Sequence, residues 1–430
     1  MIASLLKRKI TGDLVFLYLA FFAGFVLPVL TIPYLTRVLG KDAWSRLVFV
    51  QSFCQLLAVP LMWGFGLHGA RLIARHRDDR EKVRRICAEI MAARLLLLLP
   101  VSLLLLGCIR WLPNLRGDIR LPLLGFTAAV LGTFNTGWIL QGLDRMRAAS
   151  IQDLVGKIVA TLPIFLLVFS PAHSYRVIML QAFGALISLV LGYLAIRGDV
   201  PFEARLTRSL PAVYKESAGM FLFSLSAAVV NQTNVFLFGL FSPLSTVGIY
   251  AGAEKIVRAA CALVGSFSTA LHTKINYRIG KDRAAGARLF LKGTAVLFFL
   301  AVALAMILWF ASDFLVARLL GPEFRESASI VRLLAFLPVV NWMSYSINLN
   351  WFIVLRLDFV LNMAVLAAAI TTVISACILV PLFSLNGMGA TVLCGEFTLL
   401  AALLRIMARP DRNPLRFAFQ GAGDLHDKAG

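Results

Sequence analysis

The stretch Gly248 to Thr273, GIYAGAEKIVRAACALVGSFSTALHT, decides the fold class of this chain. It is long and apolar enough to cross a hydrocarbon core of about 30 Å, yet it carries Glu254, Lys255 and Arg258 inside. On a helix turning about 100° per residue, Ala251, Lys255, Arg258, Ala262, Gly265 and Thr269 share one narrow stripe. Ile249, Ile256, Ala260, Leu263, Val264, Phe267 and Leu271 share the opposite face. One face suits lipid; the other is small, polar and cationic. Cations at membrane depth are costly unless they meet water, a partner or an anionic ligand. Glu254 is placed to pair with Arg258 at i,i+4, but one carboxylate does not neutralise two cations. Lys255 and Arg258 are therefore candidate binding residues. On this reading Arg258→Ala removes a costly buried cation and leaves insertion near normal.

Composition generalises what this helix shows. The chain has 430 residues, 60% hydrophobic and 15% charged. A soluble protein lies nearer 45–50% apolar and about 25% charged. The expectation is an all-α integral membrane protein of about twelve spans, at roughly 20 residues each with short loops. The spans are predicted near 14–35, 45–67, 86–107, 121–140, 149–169, 177–196, 217–241, 247–272, 290–310, 328–352, 358–381 and 388–407.

The net charge of +20 does not mark a nucleic-acid partner, because the basic residues concentrate in short loops between spans. The heaviest loops, Arg71–Arg85, Arg197–Lys215 and Lys274–Arg288, fall on the same predicted side as Lys7–Lys9 and the stretch Arg409–Lys428. Both termini are therefore predicted cytoplasmic. The run after Lys7–Lys9 is long enough to span and has no small-residue cleavage site, so no cleavable signal is read there. Six scattered cysteines without a CxxC pair indicate neither a disulfide framework nor a zinc site.

Several spans carry polar faces. Asn231 and Asn234 lie roughly on one face of the seventh, with Ser224 and Ala228. Gln51 and Gln55 lie on the second, and Asn341 and Tyr345 at helical spacing on the tenth. Each amide can serve interhelical hydrogen bonding, but polar faces in both halves point to a cavity. Asp153 and Lys157 are spaced for a local ion pair. Asp153, Glu254 and Glu396 are the candidates for coupling to an ion, each with a salt bridge as the plainer reading. Catalytic chemistry is not indicated. The five histidines form no ligand-spaced pair, no P-loop is present, and Asp78-Asp79 reads as part of a charged, solvated turn. No metal or cofactor is expected.

A faint repeat joins the halves. Asn135-Thr-Gly-Trp138 ends the fourth span and Asn348-Leu-Asn-Trp351 the tenth. Six spans separate them, an even offset that keeps the halves in one orientation, as in parallel repeats.

These segments also carry a resemblance. Pro33-Tyr-Leu-Thr-Arg-Val-Leu-Gly40, Gly64-Phe-Gly-Leu67 with Arg71-Leu-Ile-Ala74, Trp138-Ile-Leu-Gln-Gly-Leu143 and Leu320-Gly-Pro-Glu-Phe324 are similar to segments of the Wzx-type oligosaccharide flippases. These form a family within the multidrug/oligosaccharidyl-lipid/polysaccharide exporter superfamily. Val247-Gly-Ile-Tyr-Ala-Gly-Ala-Glu-Lys-Ile256 is the most specific match. The chain departs from the pattern at Trp44-Ser45, where a glycine is usual, and at Leu271-His-Thr-Lys274, where a proline is missing.

The resemblance implies two pseudo-symmetric six-helix bundles around a central cavity, over 1–200 and 201–410, followed by a cytoplasmic tail at 411–430. It implies a substrate, an undecaprenyl-diphosphate-linked oligosaccharide, moved across the bacterial inner membrane for surface polysaccharide (O-antigen or exopolysaccharide) synthesis. Membrane lipids, a polysaccharide polymerase and the chain-length and export machinery are the implied partners. Lys255 and Arg258 would meet the diphosphate, and the amides and Tyr345 the sugars. A multidrug–cation antiporter of the same fold is the first alternative. It would favour acidic cavity residues, whereas the excess read here is positive. A membrane polysaccharide polymerase is the second; it needs a sizeable outer loop, and the predicted outer loops are short.

Overall fold

The computed structural model describes residues 2–200, 210–353, 355, 357–410 and 412–417. Within its helices, the side chains of residues 2–26, 28, 29, 266, 269, 270, 273 and 358 lie outside the description. So do Arg205 and Arg208 of the predicted basic loop, and most of the predicted tail.

The chain is an all-α membrane protein, with no strand among the described residues. The first half holds α1 (Ile2–Met62), α2 (Phe65–Arg75), α3 (Arg80–Trp111), α4 (Arg120–Thr133), α5 (Gly137–Gly142), α6 (Met146–Thr161) and α7 (Ser174–Ile196). Then follow α8 (Leu210–Asn231), α9 (Asn234–Phe241), α10 (Leu244–Lys281), α11 (Arg283–Phe310), α12 (Ser327–Leu333), α13 (Leu337–Ile347) and α14 (Asp358–Met407). Eight described stretches are long and apolar enough to span, or nine if α12 with the bent segment Leu337–Phe352 is one span. Two of them run 46 and 49 residues, far beyond the ~20 that a bilayer needs, so the predicted twelve is consistent with these lengths.

The long stretches are interrupted by residues with positive φ: Gly40 at φ 68° inside α1, Trp63 and Gly64 at φ 41° and 70° between α1 and α2, and Ser384 at φ 48° in α14. Beyond Ser384, α14 returns along itself. A Cβ on Gly395 would lie within 4 Å of Thr372 Oγ1 and the Ala368 carbonyl, so the two halves form a helical hairpin. Exposed leucines from Leu95 to Leu106 on α3, and Val296, Phe299 and Phe310 on α11, suit contact with lipid tails rather than water.

The chain divides into two compact units, Met1–Gly248 and Ile249–Gly430. In the first, α8 and α9 pack with the preceding helices. Trp63 stacks on Phe221 at 4.0 Å, its Nε1 donates to the Tyr214 carbonyl, and the Tyr214 hydroxyl donates to the Ala93 carbonyl. Phe236 of α9 lies against Phe49 and Phe53.

The unusual pair Trp44-Ser45 is buried and fixes the last residue of this unit. Trp44 Nε1 donates to the Gly248 carbonyl at 3.3 Å, and Ser45 Oγ accepts from the Gly248 N–H at 3.0 Å. A Cβ on Gly248 would overlap Ser45 Oγ, so this close approach requires glycine.

In the second unit, Val264, Leu297, Ala301 and Trp342 form a buried cluster joining α10, α11 and α13. The Ser327 hydroxyl donates to the Ile249 carbonyl at 2.8 Å. The charged turn before α3 is a helix cap: Asp79 Oδ1 accepts from the Lys82 N–H at 3.0 Å. That backbone hydrogen bond, more than any other contact, holds the Asp79 carboxyl below the usual carboxylate range.

Candidate functional site

Arg258 is the centre of a buried charge cluster in the second unit. Glu254, one turn earlier on α10, holds its Oε1 3.5 Å from Arg258 Nε. The returning half of α14 brings Glu396 to the same guanidinium, with its Oε1 3.6 Å from Nη1. That Glu396 oxygen also accepts from Asn341 Nδ2 of α13 at 3.1 Å. Three helices thus converge on one cation. The Glu396 and Glu254 side chains are 1% and 9% exposed, and Arg258 is 22% exposed. Lys255 is half-buried and in electrostatic contact with Glu254; Tyr250, fully buried, lies one turn before that carboxylate.

The electrostatics differ from what α10 alone implies. Glu396 adds a second carboxylate, so two cations face two anions and the expected positive excess is cancelled. Both Arg258 contacts are longer than the roughly 2.7–2.9 Å of a closed charge-assisted hydrogen bond. Arg258 is shared between two acids.

The other predicted residues are distributed differently. Tyr345, one turn beyond Asn341 on α13, is 40% exposed. Asn231 and Asn234 do not share a face, because the helix breaks between them. The N–H groups of Gln232 and Thr233 both donate to the Ala228 carbonyl, and the Thr233 hydroxyl donates to the Val229 carbonyl. Ser52 Oγ then bridges the break, donating to the Gln232 carbonyl at 2.9 Å and accepting from the Phe236 N–H at 3.2 Å. Asn231 is left exposed and donates to the Ala227 carbonyl of its own helix, while Asn234 is buried and donates back across the break to the Val230 carbonyl of α8.

Gln51 donates from Nε2 to Gln181 Oε1 at 3.1 Å, while Gln55 is exposed. Asp153 and Lys157 pair at 2.6 Å, as their spacing allows. Both line a cavity of about 610 Å³ in the first unit, together with Gln181 and Trp138. A hydrogen-bond chain runs through its wall. Thr136 Oγ1 donates to Gln152 Oε1, Gln152 Nε2 to Asn135 Oδ1, and Asn135 Nδ2 to Ser188 Oγ.

Sequence reading passed over Gln152, Ser188 and Arg94. Arg94 is the one with a readable signal, a lone cation in the apolar run Ile86–Pro100. It is buried against the Trp138 ring, 5.4 Å from the centroid, and donates to the Thr133 carbonyl. The N-x-x-W pairs both sit at helix irregularities. Asn135 lies in the turn before α5, and Asn348 opens a π-helical turn, Asn348–Phe352. Both tryptophans are buried. Trp351 stacks on Phe290 and donates to the Arg412 carbonyl at 2.7 Å.

The sequence profile described as polysaccharide biosynthesis protein matches residues 11–272. Two relatives carry the provisional name of O-antigen transporter. The one from Shigella dysenteriae is 23% identical over 401 residues, covering 91% of this chain and 98% of the relative. The one from Escherichia coli K12 is 21% identical over 411 residues, covering 94% and 98%. Among solved structures, the lipid II flippase MurJ in an inward closed conformation superimposes with a TM-score of 0.69 at 13% identity, covering 94% of this chain and 90% of MurJ. An inward-facing multidrug resistance transporter of the MATE family superimposes with a TM-score of 0.61 at 14% identity, covering 88% and 96%. At these identities the two structures speak to the fold alone.

Proposed function

We infer the function of this chain from the family to which it belongs, the polysaccharide biosynthesis proteins. It is a flippase: it moves an undecaprenyl-diphosphate-linked oligosaccharide repeat unit across the bacterial inner membrane, by alternating access, for surface polysaccharide synthesis. It acts as a transporter rather than an enzyme, and hands its product to a polymerase with chain-length and export machinery. The basic loops favour the orientation with both termini in the cytoplasm.

The observation that carries the reading is Arg258, held between the buried carboxylates of Glu254 and Glu396 at 3.5 and 3.6 Å. Guanidinium binds phosphate oxygens two-pronged, and a diphosphate offers the close geometry that neither carboxylate reaches. Binding trades one carboxylate for phosphate at Arg258. The displaced Glu396 or Glu254 then carries an uncompensated charge in a low-dielectric site, and proton uptake removes that charge. Substrate entry and proton uptake are thereby linked at one cluster. Lys255 adds a second cation beside it.

Net charge does not separate this reading from a cation antiporter, since the cluster is balanced. The family and the named relatives favour the flippase. The test is genetic and biochemical. A strain without this chain should lose surface polysaccharide and accumulate the lipid-linked repeat unit in the inner leaflet, and restoring the chain should reverse both. Normal surface polysaccharide without accumulation would remove the proposal.

A further inference from the structure

The hairpin of α14 is closed at its middle and open at one end. Gly395 meets Thr372 and Ala368 with no room for a side chain. Past that contact the two halves leave a groove of about 980 Å³ between residues 360–367 and 398–409. Its floor is apolar and small: Met363, Ala364, Ala367, Ala401 and Ala402. Arg405, in the last turn of α14, and Arg409, just past the helix end, both line it and are exposed. None of the described lining residues is acidic, so the described lining at this end is cationic.

The groove is distinct from the charge cluster. At about 100° per residue, Thr398, Ala401, Ala402 and Arg405 centre on the face of α14 roughly opposite Glu396. A ligand there does not share Arg258.

We propose that this groove is a binding site for one anionic phospholipid. Its phosphate sits on Arg405 and Arg409, and an acyl chain lies along the alanine floor. The chemistry matches the medium. An apolar trough open to the bilayer fills with a lipid tail, and two arginines at the headgroup level select a negative headgroup over a zwitterionic one. The small residues at Ala367 and Ala402 make the room; a larger side chain on either would fill it.

Full-length protein purified with equal amounts of phosphatidylglycerol and phosphatidylcholine tests this, with retained lipid counted by native mass spectrometry. The unaltered protein should keep one phosphatidylglycerol in preference to phosphatidylcholine. The double variant Arg405→Gln, Arg409→Gln should lose about tenfold of that preference. Arg77→Gln, on a basic loop of the other unit, should lose none. Ala367→Trp, with both arginines intact, should release lipid of either headgroup. Retained preference in the double variant, or unchanged lipid in Ala367→Trp, would overturn the site. Displacement of phosphatidylglycerol by an equal amount of undecaprenyl phosphate would overturn the occupant, assigning the groove to the isoprenoid carrier instead.

Discussion

Arg94 and Arg258 stand on helices that are apolar for most of their length, one in each unit. Arg94 meets a carbonyl oxygen and the face of Trp138, and no carboxylate among the described residues pairs with it. Arg258 meets two carboxylates from two different helices, and both stay beyond close hydrogen-bond distance. The first arrangement is built from groups that cannot move or change charge, and it leaves Arg94 Nε without a hydrogen-bond partner among the described residues. The second is held by groups that can do both. A buried cation whose partners are fixed contributes to packing; one whose partners can be traded or protonated suits a transport cycle.

Substituting each arginine by methionine, similar in length and uncharged, separates the two cases. The largest effect is expected at Arg258. Arg258→Met leaves Glu254 and Glu396 buried without their shared cation, and breaking a buried pair in this way costs about 3–5 kcal/mol. Thermal stability in detergent should fall sharply and export should be lost. This reverses the expectation drawn from α10 alone, where removal of the cation left insertion near normal, because that reading lacked Glu396. Adding Glu396→Gln to Arg258→Met should recover much of the stability and none of the export. Export recovered together with stability would make the cluster purely structural and erase the contrast.

At Arg94 the expected effect is smaller. Arg94→Met gives up one hydrogen bond and a cation–π contact but removes a fully buried charge, and these changes largely offset, leaving about 1–2 kcal/mol in either direction. Export measured against membrane protein level should be retained. Loss of export at normal stability would place Arg94 in the transport path and make the two arginines alike.

The sequence made one side of this contrast visible and hid the other. Glu254, Lys255 and Arg258 sit within five positions of one another on a helix, so their stripe follows from periodicity alone. Asn341 and Glu396 are legible as polar residues in apolar spans, but the meeting of Glu396 with Arg258 and of Asn341 with Glu396 depends on tertiary packing of three helices. Asn231 and Asn234 failed as a face because helical spacing assumes an unbroken helix. Nothing local to Gln232-Thr233 announces the break that Ser52, far away in sequence, bridges. Trp44-Ser45 read as a departure from a family pattern; its partner Gly248 explains it, across a distance that no window spans.

The smallest effect is expected at Asp153, the third carboxylate that sequence made a candidate for ion coupling. Like Glu254 it lies four residues from a cation on the same helix, and the pair closes to 2.6 Å. Unlike Glu254, its side chain is half exposed and its partner is 40% exposed. An exposed i,i+4 pair is worth under about 1 kcal/mol, because water and salt screen it and two long side chains lose freedom to make it. Asp153→Asn should therefore shift the melting temperature little and leave export and its dependence on the proton gradient unchanged. Glu396→Gln, measured beside it, should alter that dependence, since a neutral amide cannot take up the proton that substrate binding at Arg258 calls for. If Asp153→Asn alone abolished the gradient dependence, coupling would belong to the cavity of the first unit. The balanced cluster around Arg258 would then hold substrate without driving it.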